Sequence, residues 1–459
     1  MVCPQASSRL IRIAAFQNPE FYAAQAARRS IHDKPRIISC AELSKKFVAL
    51  PRGCFEAAEE LFRSHGSALE IEDVRFKGSP INMAFIGTLL PDQLDAANAL
   101  LAHDTGVLAA TTAFGKTIVA ISMMAARGVN TLVLVHRQQL MDQWVERLSP
   151  FSNLLRSDIG LIGGGRRKPK GRIDVALMQS LVRKGEVDDI VGSYGHLVID
   201  ECHHVSAVSF ELLARRAKAK YVLGLSATVT RKDGHHPIIV MQCGPIRFRV
   251  DARPEAAKRP FDHLVHIRET QFKLEAERNS ATPPIQEIFR ALSGNAERND
   301  FIFNDILVAL EDGRVPVVIT ERTDHLEELS RRLERFAKNV IVLRGGQTAK
   351  QRRAAMDRLR QTPPDEERVV LATGRYLGEG FDDARLDTLF LTMPVAWKGI
   401  LAQYAGRLHR SHVSKREVVI YDYVDKSVPV LARMAAKRRQ GYRALGYRIE
   451  PTCDDLFSI

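Results

Sequence analysis

Two short stretches of the chain hold residue types that, together, could handle a polyphosphate. The first, ATTAFGKT at residues 110–117, sits between an apolar run at 106–110 and a helical pattern at 117–127. A Gly-Lys-Thr turn at a strand–helix junction presents backbone N–H groups and a helix N-terminus to phosphate. Lys116 would reach the β- and γ-phosphates and the Thr117 hydroxyl would ligate Mg²⁺, with Thr112 and Gly115 in the same cradle. The second stretch, LVIDECHHV at 197–205, runs from three β-formers into Asp200 and Glu201. Both carboxylates therefore fall at the C-terminal tip of a strand, where open α/β sheets bind ligands. Asp200 is placed to hold the Mg²⁺, and Glu201 to position or deprotonate an attacking water. An Asp-Glu pair after a strand is common on its own. The phosphate loop upstream gives it a reaction, phosphoryl transfer from ATP to water.

The elements that must position these groups alternate in period. TLVLV at 131–135 is continuously apolar, as a buried parallel strand is. The helix that follows carries Leu140, Trp144 and Leu148 on one face. Arg127-Gly128 reads as the C-cap of the helix behind the phosphate loop. VALMQSL at 175–181 and YVLGLSAT at 221–228 are further strands with polar tips. The rhythm repeats downstream. VPVVIT at 315–320 precedes a helix striped by Leu326, Leu329, Leu333 and Phe336, and strands follow at 340–346 and 368–374.

Over residues 86–425, these motifs and their order resemble superfamily 2 nucleic-acid helicases, in the DEAD/DEAH-like branch of restriction-enzyme helicase subunits and XPB-type repair helicases. Asp200-Glu201-Cys202-His203 stands where that family has its DEAD or DEAH box. The resemblance implies an α/β fold of two tandem RecA-like domains, with ATP and Mg²⁺ in the cleft between them. It assigns Gln93 to the adenine edge, and His136, Arg137, Gln179, Ser180 and Thr373 to nucleic acid. Ser226, Ala227 and Thr228, with Gln403, would couple the two sites, and Gly380 and Asp382 would touch the nucleotide. Gln403, Arg407 and Arg410 fit a QxxGRxxR pattern that puts both arginines on one helix face, suited to a γ-phosphate. One departure stands out: Ala113 occupies a loop position where many relatives carry glycine. If that position needs a positive φ, its Cβ costs roughly 1 kcal/mol.

The expected division is an accessory α+β region at 1–85, a first RecA-like domain at 86–251, a linker at 252–284, a second RecA-like domain at 285–425 and a basic tail at 426–459. The accessory region could equally be a packing extension of the domain after it. The linker is read from polarity and from Pro254, Pro260, Pro283 and Pro284. The basic stretch GGGRRKPKGR at 163–172 reads as a mobile loop in contact with phosphate. Tyr442 and Tyr447 in the tail are open to base stacking or to mere exposure. His235, His236 and Cys243 lie close together, with spacing that matches no metal site.

A chain of 459 residues with 45% apolar content can build two to four packed domains, so extensive disorder is excluded. The formal charge of +13 argues for a polyanion partner. No apolar run approaches the ~18 residues of a membrane span. Pro4, Ser7, Arg9 and Arg12 break any signal-peptide core, and the six cysteines form no CxxC pair. A cytoplasmic location follows as the expectation. The function expected is an ATP-dependent translocase or helicase on DNA, in a restriction, defence or repair setting with a separate nuclease or other subunit as partner. An RNA helicase is one alternative. A scaffold that binds ATP and nucleic acid without turnover is the other.

Overall fold

The computed structural model describes residues 4–44, 46–203, 207–227, 234–257, 259–274, 283–374, 383–395 and 398–450. The chain divides into two compact units, residues 1–250 and 251–459.

The first unit is built on an eight-stranded sheet. Its order is Ile246–Arg249, Thr105–Ala109, Tyr221–Ser226, His196–Ile199, Thr131–Val135, Ile173–Leu177, Ile159–Gly163 and Arg166–Lys168, and every pairing is parallel except the last. The central strands are apolar on both faces because helices cover both. Leu108, Val133, Val198 and Leu223 point into one cluster with the helix Lys116–Arg127. Their neighbours Val107, Leu132, Leu197 and Val222 point into a second cluster on the opposite face, as the two-residue period requires. The register sets Ile199 beside Gly224 and Leu134, and Ser226 beside Ala109. The tips that carry 110, 200 and 227 therefore lie along one edge.

Residues of the N-terminal region pack against this unit. Ala14, Cys40 and Cys54 belong to the second cluster of this unit. The Arg52 guanidinium donates to the carbonyls of Ala219 at 3.0 Å and Ala214 at 2.8 Å, and Gly53 lies where a Cβ would come within 2.1 Å of the Val240 carbonyl. The stretch 163–172 is also not a free loop. Arg166–Lys168 returns antiparallel on Ile159–Gly163, and Gly164 and Gly165, with φ of 59° and 79°, supply the two positive torsions of a tight hairpin turn.

The second unit holds a seven-stranded, wholly parallel sheet ordered Val340–Leu343, Val369–Thr373, Pro316–Thr320, Thr388–Leu391, Glu417–Val424, Asp262–Glu269 and Arg448–Ile449. Two segments depart from the sequence expectation. Asp262–Glu269, inside the stretch read as linker, pairs along its full length with Glu417–Val424 and buries Leu264, Val265 and Ile267. The C-terminal stretch read as a basic tail is a packed helix, Pro429–Ala444, followed by an edge strand. Arg438 is buried because the Asp422 carboxylate accepts from its Nε at 3.0 Å, while Tyr442 and Tyr447 join the core. Neither tyrosine is available to stack on a base.

Histidines held neutral tie this unit's stability to pH. His325 is buried with Nδ1 3.0 Å from the Thr320 hydroxyl and Nε2 3.0 Å from the Asn299 amide oxygen. Burial first, then the Arg298 guanidinium, pushes its pKa down to about 3. The unfolded chain binds a proton near pH 6.5 that the folded chain refuses, so stability is lost as pH falls below 6.5. Between pH 7 and pH 5 this one residue costs about 2 kcal/mol. His409, buried and displaced the same way, adds to it. Urea unfolding of the whole chain across this range is expected to show the loss, with a shallower slope in His325→Gln.

Candidate active site

The phosphate loop joins the strand Thr105–Ala109 to the helix Lys116–Arg127, so the helix N-terminus faces the sheet edge. The Ala110 N–H donates to the Ser226 carbonyl at 3.0 Å, which fixes the loop's start to the neighbouring strand. Lys116 Nζ donates to the carbonyls of Ala110 at 2.9 Å and Thr111 at 3.3 Å, bending its ammonium over the loop. Gly115 caps the helix at φ 90°, and Thr112 and Thr117 flank the turn half-buried. Gln93 braces this loop from the helix Pro91–Leu101: its Nε2 donates to the Phe114 carbonyl at 2.8 Å and its Oε1 accepts from the Leu90 N–H at 3.0 Å. A Cβ at Gly115 would come within 2.5 Å of that Nε2. The buried Thr111 hydroxyl makes no hydrogen bond among the described residues, which suits a loop that completes itself on an anion.

Ala113 has φ 74°, so the condition set by the sequence is met: an L-residue occupies a left-handed position. Ala113→Gly is expected to relieve about 1 kcal/mol, up to about fivefold in nucleotide affinity wherever the strain is carried by the bound loop. Isothermal titration with a non-hydrolysable nucleotide measures it.

The carboxylates follow the strand His196–Ile199. Asp200 is buried, with Oδ2 accepting from the Trp144 indole N–H at 2.8 Å and Oδ1 from the Glu201 N–H at 2.9 Å. Its pKa is raised to about 6, first by burial and next by the Glu201 carboxylate, against the pull of Trp144 and the Lys116 ammonium. Two carboxylates held this close favour a cation beside them. Glu201 has a left-handed φ of 47°, a strained setting for a non-glycine residue that turns its side chain along the sheet edge. Its Oε2 lies 3.4 Å from the Ala227 N–H and 3.2 Å from His203 Nδ1, and that same nitrogen is 2.8 Å from the Ser226 hydroxyl. Glu201, His203, Ser226 and Ala227 thus form one polar chain between two strand tips. Cys202 faces the other way, its buried thiol held up by its hydrogen bond with Cys243 and by burial. With Cys243 turned into the core, the 235–243 stretch gathers no ligand set: among the described residues no three His, Cys, Asp or Glu could hold a metal ion.

The backbone-donor loop, the lysine and the two carboxylates fit a Mg²⁺-triphosphate. Trp144 is the member that spacing alone missed, since it reads there only as one of an apolar stripe. The signal that could have found it is the indole N–H, a donor that needs a partner when buried.

The residues expected to meet nucleic acid lie at the tips of the neighbouring strands. Gln179, in the short helix Met178–Leu181 with Ser180, donates from Nε2 to the His136 carbonyl at 3.0 Å. Arg137 holds the N-cap backbone position of the helix Gln138–Leu148 without a side-chain capping bond. In the second unit Thr373 ends the strand Val369–Thr373, and Gln403 and Arg407 sit on the helix Lys398–Leu408. Arg410 does not share that helix, contrary to the expectation of one helical face. The helix closes at Leu408, where Lys415 Nζ donates to the carbonyls of Leu408 at 2.7 Å and Arg410 at 2.8 Å. Thr228, Gly380 and Asp382 lie outside the described residues. No helix among the described residues is long and apolar enough to cross a membrane.

Residues 86–231 match the family model of the type III restriction enzyme res subunit. The chain is 26% identical over 379 residues to a protein of Acanthamoeba polyphaga mimivirus provisionally named ATP-dependent RNA helicase L396, covering 80% of this chain and 70% of that one. It is 33% identical over 166 residues to the DNA 3'-5' translocase XPB2 of Sulfurisphaera tokodaii, covering 36% of each. The chain thus spans most of the viral relative and about a third of the archaeal one. The solved structure of S. cerevisiae Dbp5 bound to RNA and ADP BeF3 shares the fold, with a TM-score of 0.56 and 15% identity over 79% of this chain and 90% of that one. In its motifs and in these sequence matches, the chain is similar to superfamily 2 helicases, in the branch of restriction-enzyme helicase subunits and XPB-type proteins.

Proposed function

We propose that the chain hydrolyses ATP at its first unit and spends the cycle on moving along, or separating, nucleic-acid strands, with DNA as the track. The observation that carries this reading is the meeting of the Lys116 loop with Asp200 and Glu201 at one sheet edge, the loop tied to the carboxylate side by the Ala110–Ser226 bond of 3.0 Å. Mg²⁺, when bound, neutralises charge on the terminal phosphates. Asp200 and Thr117 would hold it. Lys116 would exchange its two carbonyl partners for phosphate oxygens. Glu201 takes the proton of the attacking water, and the chain through His203 passes its position to Ser226 and Ala227, the residues proposed to couple hydrolysis to the track. Arg407 and Arg410, which the family resemblance assigns to the γ-phosphate, would supply the guanidinium charge that in phosphoryl transfer is worth ~10³–10⁵ in rate.

DNA is preferred because the loop and strand-tip motifs resemble the restriction and repair branch; the relatives' own names include both DNA and RNA. A separate nuclease or another restriction or repair subunit is the partner this setting implies. Steady-state ATP hydrolysis, measured at low salt alone and with single-stranded DNA, duplex DNA and RNA, tests the reading. Stimulation by DNA above RNA is expected. Stimulation by RNA alone would move the protein to the RNA-helicase alternative, and binding without turnover on any polymer would leave the scaffold.

A further inference from the structure

A second hairpin lies beside the first. Val182–Arg183 pairs antiparallel with Glu186–Val187, leaving Lys184-Gly185 as its two-residue turn. Both turn residues have positive φ, 50° at Lys184 and 84° at Gly185, the geometry that the other hairpin reaches with two glycines. Asn or Gly is the usual residue at the first of these positions, and a lysine there is strained. The two hairpins are fastened together. Arg167 donates to Asp188 Oδ2 at 2.6 Å, while Asp188 Oδ1 accepts from the Ile190 N–H at 3.2 Å. The first hairpin is anchored below as well, where the N–H groups of Lys170 and Gly171 donate to the buried Asp174 carboxylate at 3.0 Å.

The outcome is a fixed frame that exposes Arg166, Lys168, Arg183 and Lys184 at the end of the sheet. It continues directly from the proposed nucleic-acid residues. Gly163 packs against Leu177, Gly164 against Gln138, and Val182 follows the helix that carries Gln179 and Ser180. Charged residues on an edge strand also discourage sheet-to-sheet aggregation. That role accounts for Arg166 and Lys168; it does not account for a lysine kept at a left-handed turn position on a different strand pair.

We propose that the paired hairpins are a phosphate-backbone clamp, in which Arg166, Lys168, Arg183 and Lys184 grip the nucleic acid beyond the contacts of His136, Arg137, Gln179 and Ser180. It rests on the helicase reading and extends the site along the track. Each phosphate neutralised releases counterions, so four contacts steepen the dependence of log affinity on log salt by about 3–4 on duplex DNA and somewhat less on single strands.

The test is binding of labelled single-stranded and duplex DNA by fluorescence anisotropy between about 50 and 200 mM salt. It compares the wild-type chain with Lys184→Asn and with the combined variant R166A/K168A/R183A/K184N. Lys184→Asn suits the turn better than lysine does, so a thermal midpoint at or above wild type is expected with a salt slope about 0.7–0.9 shallower. The combined variant should lose about 3 from the slope, while ATP hydrolysis without polymer stays at the wild-type level. Unchanged slopes in both variants, with the wild type binding DNA, would overturn the clamp. So would aggregation of the combined variant at an unchanged slope, which would assign the charges to edge protection. A wild-type chain that binds no nucleic acid would instead bring down the helicase reading itself.

Discussion

Lys116→Ala is expected to lower kcat/KM for ATP by at least about 10²–10³, with polymer-stimulated turnover falling alongside the basal rate. Its ammonium is the group proposed to meet the terminal phosphates, and among the described residues it donates to the carbonyls of Ala110 and Thr111. Those carbonyls can be solvated when the side chain is cut back, so the thermal midpoint should hold. A second effect runs through Asp200. Lys116 is one of three groups, with the Trp144 indole and the Glu201 N–H, that pull the Asp200 pKa down from where burial and the Glu201 carboxylate would set it, and it already stands at about 6. Without the ammonium the carboxyl titrates higher, so more of it is protonated near neutral pH. The variant should therefore need more Mg²⁺, and its residual rate should climb more steeply with pH than the wild type's. A variant with wild-type turnover would remove the phosphate loop from the mechanism.

Glu201→Gln should separate binding from chemistry. Glutamine keeps the volume and an acceptor for the Ala227 N–H, which lies 3.4 Å from Glu201 Oε2. What it loses is the proposed base. A drop in kcat of about 10²–10⁴ with KM within a few-fold is expected, the pattern of an interaction made only on the way to the transition state. The two variants then differ in kind. Lys116→Ala should weaken nucleotide binding as well as turnover, whereas Glu201→Gln should bind nucleotide and stall. Equilibrium binding of a fluorescent nucleotide, read beside steady-state rates, tells them apart. If Glu201→Gln turned over normally, the water would have to be oriented by some other group.

Much of this site was legible in the chain because its parts are local. Gly115, Lys116 and Thr117 are consecutive, and Asp200 and Glu201 directly follow a run of β-formers. Strand tips gather such groups regardless of what joins them, since parallel pairing aligns the ends of strands far apart in sequence. What escaped notice depends on partners that no local pattern announces. Asp262–Glu269 alternates His263, His266, Arg268 and Glu269 with its apolar residues, and its prolines lie outside the strand. Its identity as a strand comes from Glu417–Val424, more than a hundred residues downstream. Arg438 falls in the stretch read as a basic tail, and the Asp422 carboxylate supplies the charge that lets it be buried. Arg410 followed a helical spacing that Lys415 ends by bonding the final carbonyls. Spacing predicts which residues share a helix, not where a side chain from beyond it will cap it.

The bond between Trp144 and Asp200 also gives the protein a voice of its own. The sequence contains two tryptophans, and one of them donates its indole N–H at 2.8 Å to the carboxylate proposed to hold the metal. Indole emission shifts with the charge beside the ring, so a cation drawn to Asp200, or a proton taken up there, changes the light that Trp144 emits. Mg²⁺ bound at Asp200 as proposed is therefore expected to change Trp144 emission in a stopped-flow cell with no dye attached, and Asp200→Asn should abolish the change.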